Sequence, residues 1–443
     1  MEVKTQTQKP VKRKKSKFSM SEAQLGYTMV APAIIIILLI AIYPVLRSFW
    51  YSMFDLRLNH PTKNGTHLSY QIDMERYYKN VDIVKGALKR ASGDSTGDVK
   101  DRLDKAYNEV QTISDSLLKE SEVAGKEKEV RSYVDNFKVI DSDKLKYAGI
   151  SKTTAQQSID KFNALIKDIA ALKANEDIKV YTDKAAGLME ELRDSFISPN
   201  YIGFSNYAYF LKDKEFWGAL RYTFSFTVIS VFFEFVLGLG VATIINRRFK
   251  GRGIVRAAIL IPWAIPTVVA AKMWRFLYDG QSGIIAFVMN KLHLISEPGQ
   301  LLTTHVGASF AAIFADVWKT TPYMALLLLA GLQALDSSLY EASDVDGATK
   351  LQQFFKITLP LLKPTIMVAL LFRTLDAFRV FDLIYVLTGG GNSTDTISTI
   401  AYKTMFAQME FGKGSTLSVV VFLCVAVISI GYIKILGAEV LDR

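Results

Sequence analysis

Long uncharged apolar runs recur along the chain, and they constrain its fold more than any other feature. Gly26 to Leu46 is nearly free of charge for about 20 residues, enough for a helix rising 1.5 Å per residue to cross a hydrocarbon core of ~30 Å. Comparable runs cover Trp217–Ile245, Ile254–Leu277, Val306–Leu332, Pro364–Leu387 and Leu417–Leu436, which makes six expected spans. In lipid every backbone polar group must find its partner within the segment, so runs of this kind form helices. A cleaved leader has the same order of charge followed by apolar residues. The first run, however, is long and has no small-residue cleavage site after it, so it reads as a retained helix.

Half of the 443 residues are hydrophobic and 22% are charged, so the charges must be segregated from the spans. Four segments result: a basic tail at 1–24, a first transmembrane helix at 25–54, a polar insert at 55–200, and a membrane core at 201–443. Within the insert, Val99, Leu103, Ala106, Val110, Ile113 and Leu117 step alternately by four and three. Ala155, Ile159, Phe162, Ile166 and Ile169 repeat that spacing, and Ala185, Leu188, Leu192 and Phe196 continue it. Such seams predict packed helices, and breaks such as Ser92–Gly97 and Ala124-Gly125 predict a small bundle rather than a filament.

The net charge of +10 does not point to nucleic acid, because the basic residues sit beside the spans. The link 246–256 carries Arg247, Arg248, Lys250, Arg252 and Arg256 without an acid, whereas 278–305 has Lys291 as its base. That asymmetry predicts both termini in the cytoplasm and the insert outside. The single cysteine, Cys424, rules out disulfides and a Cys/His metal site.

Between the fourth and fifth spans lies Glu341-Ala-Ser-Asp-Val-Asp-Gly-Ala348, followed by Ile357-Thr-Leu-Pro360. This stretch resembles the EAA loop of ABC-importer permeases, with Ser343 in place of the third small residue. From Ile202 onward the chain is similar to the maltose-type, carbohydrate-uptake subfamily of those permeases. Gly203-Phe-Ser-Asn-Tyr207, Leu260-Ile-Pro-Trp-Ala-Ile-Pro266, Trp318-Lys-Thr-Thr-Pro-Tyr323 and Phe372–Asp382 before Leu387-Thr-Gly-Gly-Gly391 carry the likeness, in that order around the loop. The first helix shares it, but the insert does not.

The resemblance implies an all-α multi-pass membrane protein of six transmembrane helices in the inner membrane, with a helical insert between the first two. It implies a permease half of a sugar importer that works with a second permease, two ATPase subunits and an extracytoplasmic solute-binding protein. ATP and Mg would be bound by the ATPases and no cofactor by this chain. The docking loop, 336–363, would be read by the ATPase through Glu341, Ala342, Ser343, Asp346, Gly347, Ala348, Leu359 and Pro360. The residues of this loop read as a helix over Glu341–Ala348, with Leu339, Ala342 and Val345 along one side and Asp344 and Lys350 solvated. Gly347 suits a sharp change of direction, and Pro360 and Pro364 suit a following helix start.

Charges inside spans cost roughly 2.5–3.5 kcal/mol each at the bilayer centre, so they face protein or a polar path. Arg373, Asp376, Arg379 and Asp382 follow one another at threefold spacing beside Phe372, Phe378, Phe381 and Tyr385. If helical, the last three charges share a face. Carboxylates and guanidinium groups hydrogen-bond sugar hydroxyls while aromatic planes stack on sugar rings, so a substrate path is one reading and pairing with a partner subunit the other. Asp316, Lys319, Thr320 and Tyr323 match positions that line the family's sugar cavity, and an Asp316–Lys319 pair within the helix is the alternative there. Glu234 stands alone in the second span. An oligosaccharide such as maltose or maltodextrin is the expected cargo.

No G-x-x-x-x-G-K-[ST] stretch occurs, and neither the four histidines nor any activated nucleophile offers catalytic chemistry. Two readings compete with the importer. One is a membrane-anchored sensor acting through the insert, which would capture a signalling partner instead of an ATPase. The other is an ion-coupled transporter, whose uptake would survive loss of the ATPase.

Overall fold

A computed structural model describes residues 21–172, 176–247 and 249–441. Most of the expected basic tail, and Arg248 of the inner link, lie outside the described residues.

The first helix, α1 (Ala23–Ser52), is apolar along its length. It starts at a reciprocal cap in which the Gln24 amide N–H donates to Ser21 Oγ at 3.3 Å and the Ser21 N–H donates to Gln24 Oε1 at 3.1 Å.

Among the described residues, five long helices build the insert, beside one short turn of helix at Asp143–Lys146: α2 (Met74–Gly93), α3 (Asp98–Leu117), α4 (Ser121–Asp135), α5 (Lys152–Ala170) and α6 (Glu176–Arg193). Their apolar faces share one core running from Ile72 to Phe196. The α3 seam is as expected, with Leu103, Ala106, Val110, Ile113 and Leu117 all buried. On α5 the buried line runs instead through Ala155, Ser158, Phe162, Leu165 and Ile169, so Ile159 and Ile166 sit at its edge. A three-four spacing leaves two adjacent faces open, and packing against α3 and α6 selects one of them.

The insert also contains a small antiparallel sheet that helical periodicity does not announce: β1 (Gln71–Asp73) between β2 (Tyr147–Gly149) and β3 (Phe196–Ile197). Its strands are two or three residues long, too short to show an alternation. The two ends of the insert meet. The Asp55 N–H donates to the Asn200 carbonyl at 2.9 Å, and Asn200 Nδ2 donates to the Gly65 carbonyl at 2.8 Å.

Beyond the insert, α7 (Lys214–Asn246) is a second unbroken helix long and apolar enough to cross a membrane. A bent pair follows, α8 (Arg252–Ala264) and α9 (Thr267–Leu277), which meet at 88°. Pro266 lacks the N–H that would continue the ladder, and it pushes Ile265 into extended backbone. The next pair, α10 (His305–Gln333) and α11 (Ser337–Val345), meets at 69°. Then come α12 (Lys350–Phe378), the short α13 (Asp382–Leu387) and α14 (Phe411–Leu441). Among the described residues, α1, α7, α12 and α14 are each long and apolar enough to cross a membrane unbroken, and the number of such spans reaches up to six when each bent pair counts as one.

The expected fifth span, Pro364–Leu387, is therefore not one helix. It starts earlier, with Pro360 in the first turn of its regular part and Pro364 inside it, and stops at Phe378. Thr396 Oγ1 donates to the Val380 carbonyl at 3.0 Å, supplying a partner to a group that a continuing helix would have used.

Small residues set how closely the helices approach. A Cβ on Gly238 of α7 would lie 2.7 Å from Met324 Cγ and 3.2 Å from the Ala325 nitrogen of α10. One on Gly331 would lie 2.5 Å from Thr365 Oγ1, where α10 meets α12. Such contacts are how helices associate where lipid removes the hydrophobic drive between them.

Candidate functional site

Arg373 lies on α12 with 2% of its surface exposed and faces three carboxylates. Its Nε and Nη2 form a fork with both oxygens of Glu234 on α7, the Nη2–Oε1 bond being 2.8 Å. Nη2 also donates to Asp316 Oδ2 on α10, and Nη1 to Asp376 Oδ2 at 2.9 Å. One guanidinium thus ties together three helices. A fork–carboxylate pair is the strongest geometry open to a buried charge, and here it is reinforced by two further acids.

The sequence around Glu234 leaves it free for this role. Thr223, Thr227 and Ser230 precede it on the same polar stripe, and each satisfies its hydroxyl on its own helix. Thr223 Oγ1 donates to the Ala219 carbonyl at 2.7 Å, Thr227 Oγ1 to that of Thr223 at 2.8 Å, and Ser230 Oγ to that of Phe226.

The structure brings some of the expected path residues together and separates others. Asp316, Arg373 and Asp376 converge, and Glu234 joins them. Asp316 pairs with Arg373 rather than with Lys319, whose Nζ donates to the Trp263 carbonyl at 3.4 Å. Tyr323 stacks on Trp263 with centroids 5.6 Å apart, and Thr320 donates to the Asp316 carbonyl at 2.6 Å. Asp376, Arg379 and Asp382 do not share a helical face: α12 ends at Phe378, Arg379 caps it and Asp382 opens α13. Phe372, Arg379 and Asp382 are exposed and take no part in the Arg373 cluster.

Arg379 instead borders a groove of about 330 Å³ with Phe381, Ser398, Tyr402 and Phe406. Phe381 stacks on Tyr385 at 5.2 Å, and Tyr402 touches both, at 4.9 and 5.1 Å. Tyr402 and Phe406 fall between the expected fifth and sixth spans, so sequence reasoning passes over them.

Chemically, Arg373 donates four hydrogen bonds to carboxylates, which leaves it little to offer a ligand. The exposed carboxylate of Asp376, whose side chain is 68% accessible, can accept a hydroxyl.

The second candidate element is the hairpin from Asp336 to Thr358. The helix expected over Glu341–Ala348 runs from Ser337 to Val345 and ends at Gly347, whose φ of +76° is the left-handed value that favours glycine. The return arm opens at Thr349 with another reciprocal cap, to Gln352. Gln353 clasps the arms together, with Nε2 donating to Ser343 Oγ at 2.7 Å and to Asp344 Oδ1 at 2.5 Å. Ser343, the departure from the motif, is buried here and accepts that bond. Asp344 and Lys350 remain accessible but pair at 2.9 Å, and Tyr340 OH meets Thr358 Oγ1 at 2.9 Å. The outer surface carries Leu339, Val345, Leu351 and Phe355 into the open, with Val345 89% exposed. Glu341, Ala342 and Asp346 are also exposed, and so is Pro360 at the base.

The model of the binding-protein-dependent transport system inner membrane component family matches residues 234–442, which takes in both elements. The trehalose/maltose transport system permease protein of Thermococcus litoralis is 46% identical over 237 residues, covering 53% of this chain and 79% of that protein. The chain belongs to this permease family. The trehalose transport system permease protein of Mycobacterium tuberculosis is likewise 46% identical, over 56% of this chain and 79% of its own length. A solved bacterial ABC transporter involved in import of the acidic polysaccharide alginate matches 53% of this chain and 85% of its own at 25% identity, with a TM-score of 0.48. As an ABC-transporter permease subunit the chain is a membrane component and not an enzyme.

Proposed function

We propose that this chain is one permease half of an ABC importer for a glucose-based oligosaccharide, with trehalose, maltose or a maltodextrin as the cargo class. The permease relatives named for trehalose and maltose, at 46% identity, support the sugar class. The observation that carries the mechanism is the clasped hairpin 336–358, which presents an apolar outer face at the end of the helix holding Asp316.

In this reading the hairpin seats on one of two ATPase subunits, which bind ATP and Mg. A second permease completes the path, and a solute-binding protein delivers sugar at the outer side. Both termini are cytoplasmic and the insert is outside. Closure of the ATPases pushes the hairpin, and α10 and α12 carry the push to the Arg373 cluster between them. Such a push changes access only if the two states differ in contact energy with the ATPase. Within the cluster, Arg373 and Asp316 hold the helices in register. The sugar-facing groups are Asp376, Lys319, Tyr323 and the aromatic groove beside Arg379.

A Gly347→Val substitution meets no neighbour within 4 Å but forces a β-branched residue to φ +76°. The expected outcome is an inserted complex with uptake of radiolabelled trehalose and maltose abolished and ATPase co-purification weakened. Normal accumulation of the transported sugar would sink the docking role.

A further inference from the structure

We infer that this permease carries a site for an anionic phospholipid at the end of α7 nearest the insert, separate from the sugar path. Two cavities meet there and share Arg221 and Ser225 as a common wall. On one side, an apolar groove of about 620 Å³ runs between Trp217, Leu220 and Phe224 of α7 and Leu423, Val427 and Ile428 of α14. On the other, a cavity of about 480 Å³ sets Tyr222, His305 and Ser309 beside the apolar Phe226, Ile229 and Ile313.

This second cavity offers a ligand a donor. Tyr222 OH and Ser309 Oγ lie buried against one another with no further partner, and Tyr222 is only 7% exposed. Two hydroxyls that meet use one proton between them, which leaves the other for a group that enters the space and accepts it. Arg221 supplies charge. Its described hydrogen bond is from Nε to the Trp217 carbonyl, a long 3.3 Å, and no acid lines either cavity. A cation with a hydroxyl pair beside it and no carboxylate fits a phosphodiester. An apolar groove on the neighbouring face fits an acyl chain, and a sugar would leave that groove empty.

Depth agrees with this. The 33 residues of α7 span ~50 Å against a core of ~30 Å, so about 10 Å overhangs at each end. Arg221 is seven residues in, at about that depth, which places it at the headgroup boundary with the groove reaching inward.

Native mass spectrometry of the full chain in mild detergent, with dioleoylphosphatidylglycerol or dioleoylphosphatidylcholine added, tests the site. Wild type should retain phosphatidylglycerol in preference to phosphatidylcholine. Arg221→Gln should weaken that retention about tenfold, the size of one charge-assisted hydrogen bond. Val427→Trp, which fills the groove and leaves the headgroup contacts alone, should lower retention of both lipids. Ser309→Ala replaces Arg221→Gln if the latter fails to fold, and should lower phosphatidylglycerol retention in the same direction. Equal retention of the two lipids by wild type, retention unchanged in Arg221→Gln, or displacement of the lipid by trehalose would each overturn the site. Loss of sugar transport activity bears on the importer reading and leaves this measurement intact.

Discussion

Arg373 ties three helices of the membrane core together through one buried guanidinium. Its removal leaves Glu234 and Asp316 facing each other without a cation, and breaking a buried pair in this way costs roughly 3–5 kcal/mol. Arg373→Met should therefore lower the thermal midpoint in detergent by several degrees. Arg373→Lys keeps the charge but loses the fork, and should fall between Met and wild type. Equal midpoints for all three would show that the cluster does not hold the helices together. Three of the four residues of this cluster were legible beforehand. Arg373, Asp316 and Asp376 stand out as charges within spans, whereas Glu234 is a lone acid 139 residues away from its partner. Charge balance would have found it: a buried cation in one span calls for an anion in another, and Glu234 and Asp316 are the lone acids of theirs. Ser343 shows the opposite error of emphasis. It reads as a departure from a motif, and only its Gln353 partner ten residues on explains the hydroxyl.

At the scale of elements, the apolar runs announced where helices lie, and composition alone sufficed for that. Where they break was less visible. The 88° bend follows from Pro266 and could be read, but the stop at Phe378 has no proline or glycine beside it, and the Val380 carbonyl just past it is met by Thr396 from a later segment. That stop separates Arg379 and Asp382 from the face of Arg373. The α10–α12 contact lies between the two candidate sites, and Gly331 permits its close approach. Gly331→Val would drive its side chain into Thr365, which is short, β-branched and stiff. Overpacking of this kind costs typically 1–3 kcal/mol. The expected result is a lower thermal midpoint together with reduced sugar uptake, and recovery of both when Thr365→Gly is added. A single variant as stable as wild type would mean the helices separate freely there.

For the whole molecule, the insert lies outside the residues that the permease family model matches, 234–442. Its architecture argues that it is an accessory built onto the core. Its apolar core is closed within residues 72–196. Its two ends are joined at a neck by the Asp55–Asn200 and Met53–Ile202 backbone bonds, 2.9 Å each, so the chain leaves and returns at one point. A unit with its own core and adjacent ends can be removed without breaking the helices beneath it. Replacing 60–195 with a short Gly-Ser linker should leave the thermal midpoint of the membrane core within a few degrees of wild type. If the insert lies outside the membrane and braces the solute-binding protein, as proposed for the importer reading, the same deletion should weaken capture of that protein by the purified complex. It should also lower uptake most at low sugar concentration, where delivery limits the rate. Unchanged affinity for the binding protein would remove the bracing role. Collapse of the membrane core itself would show instead that the insert is part of the fold.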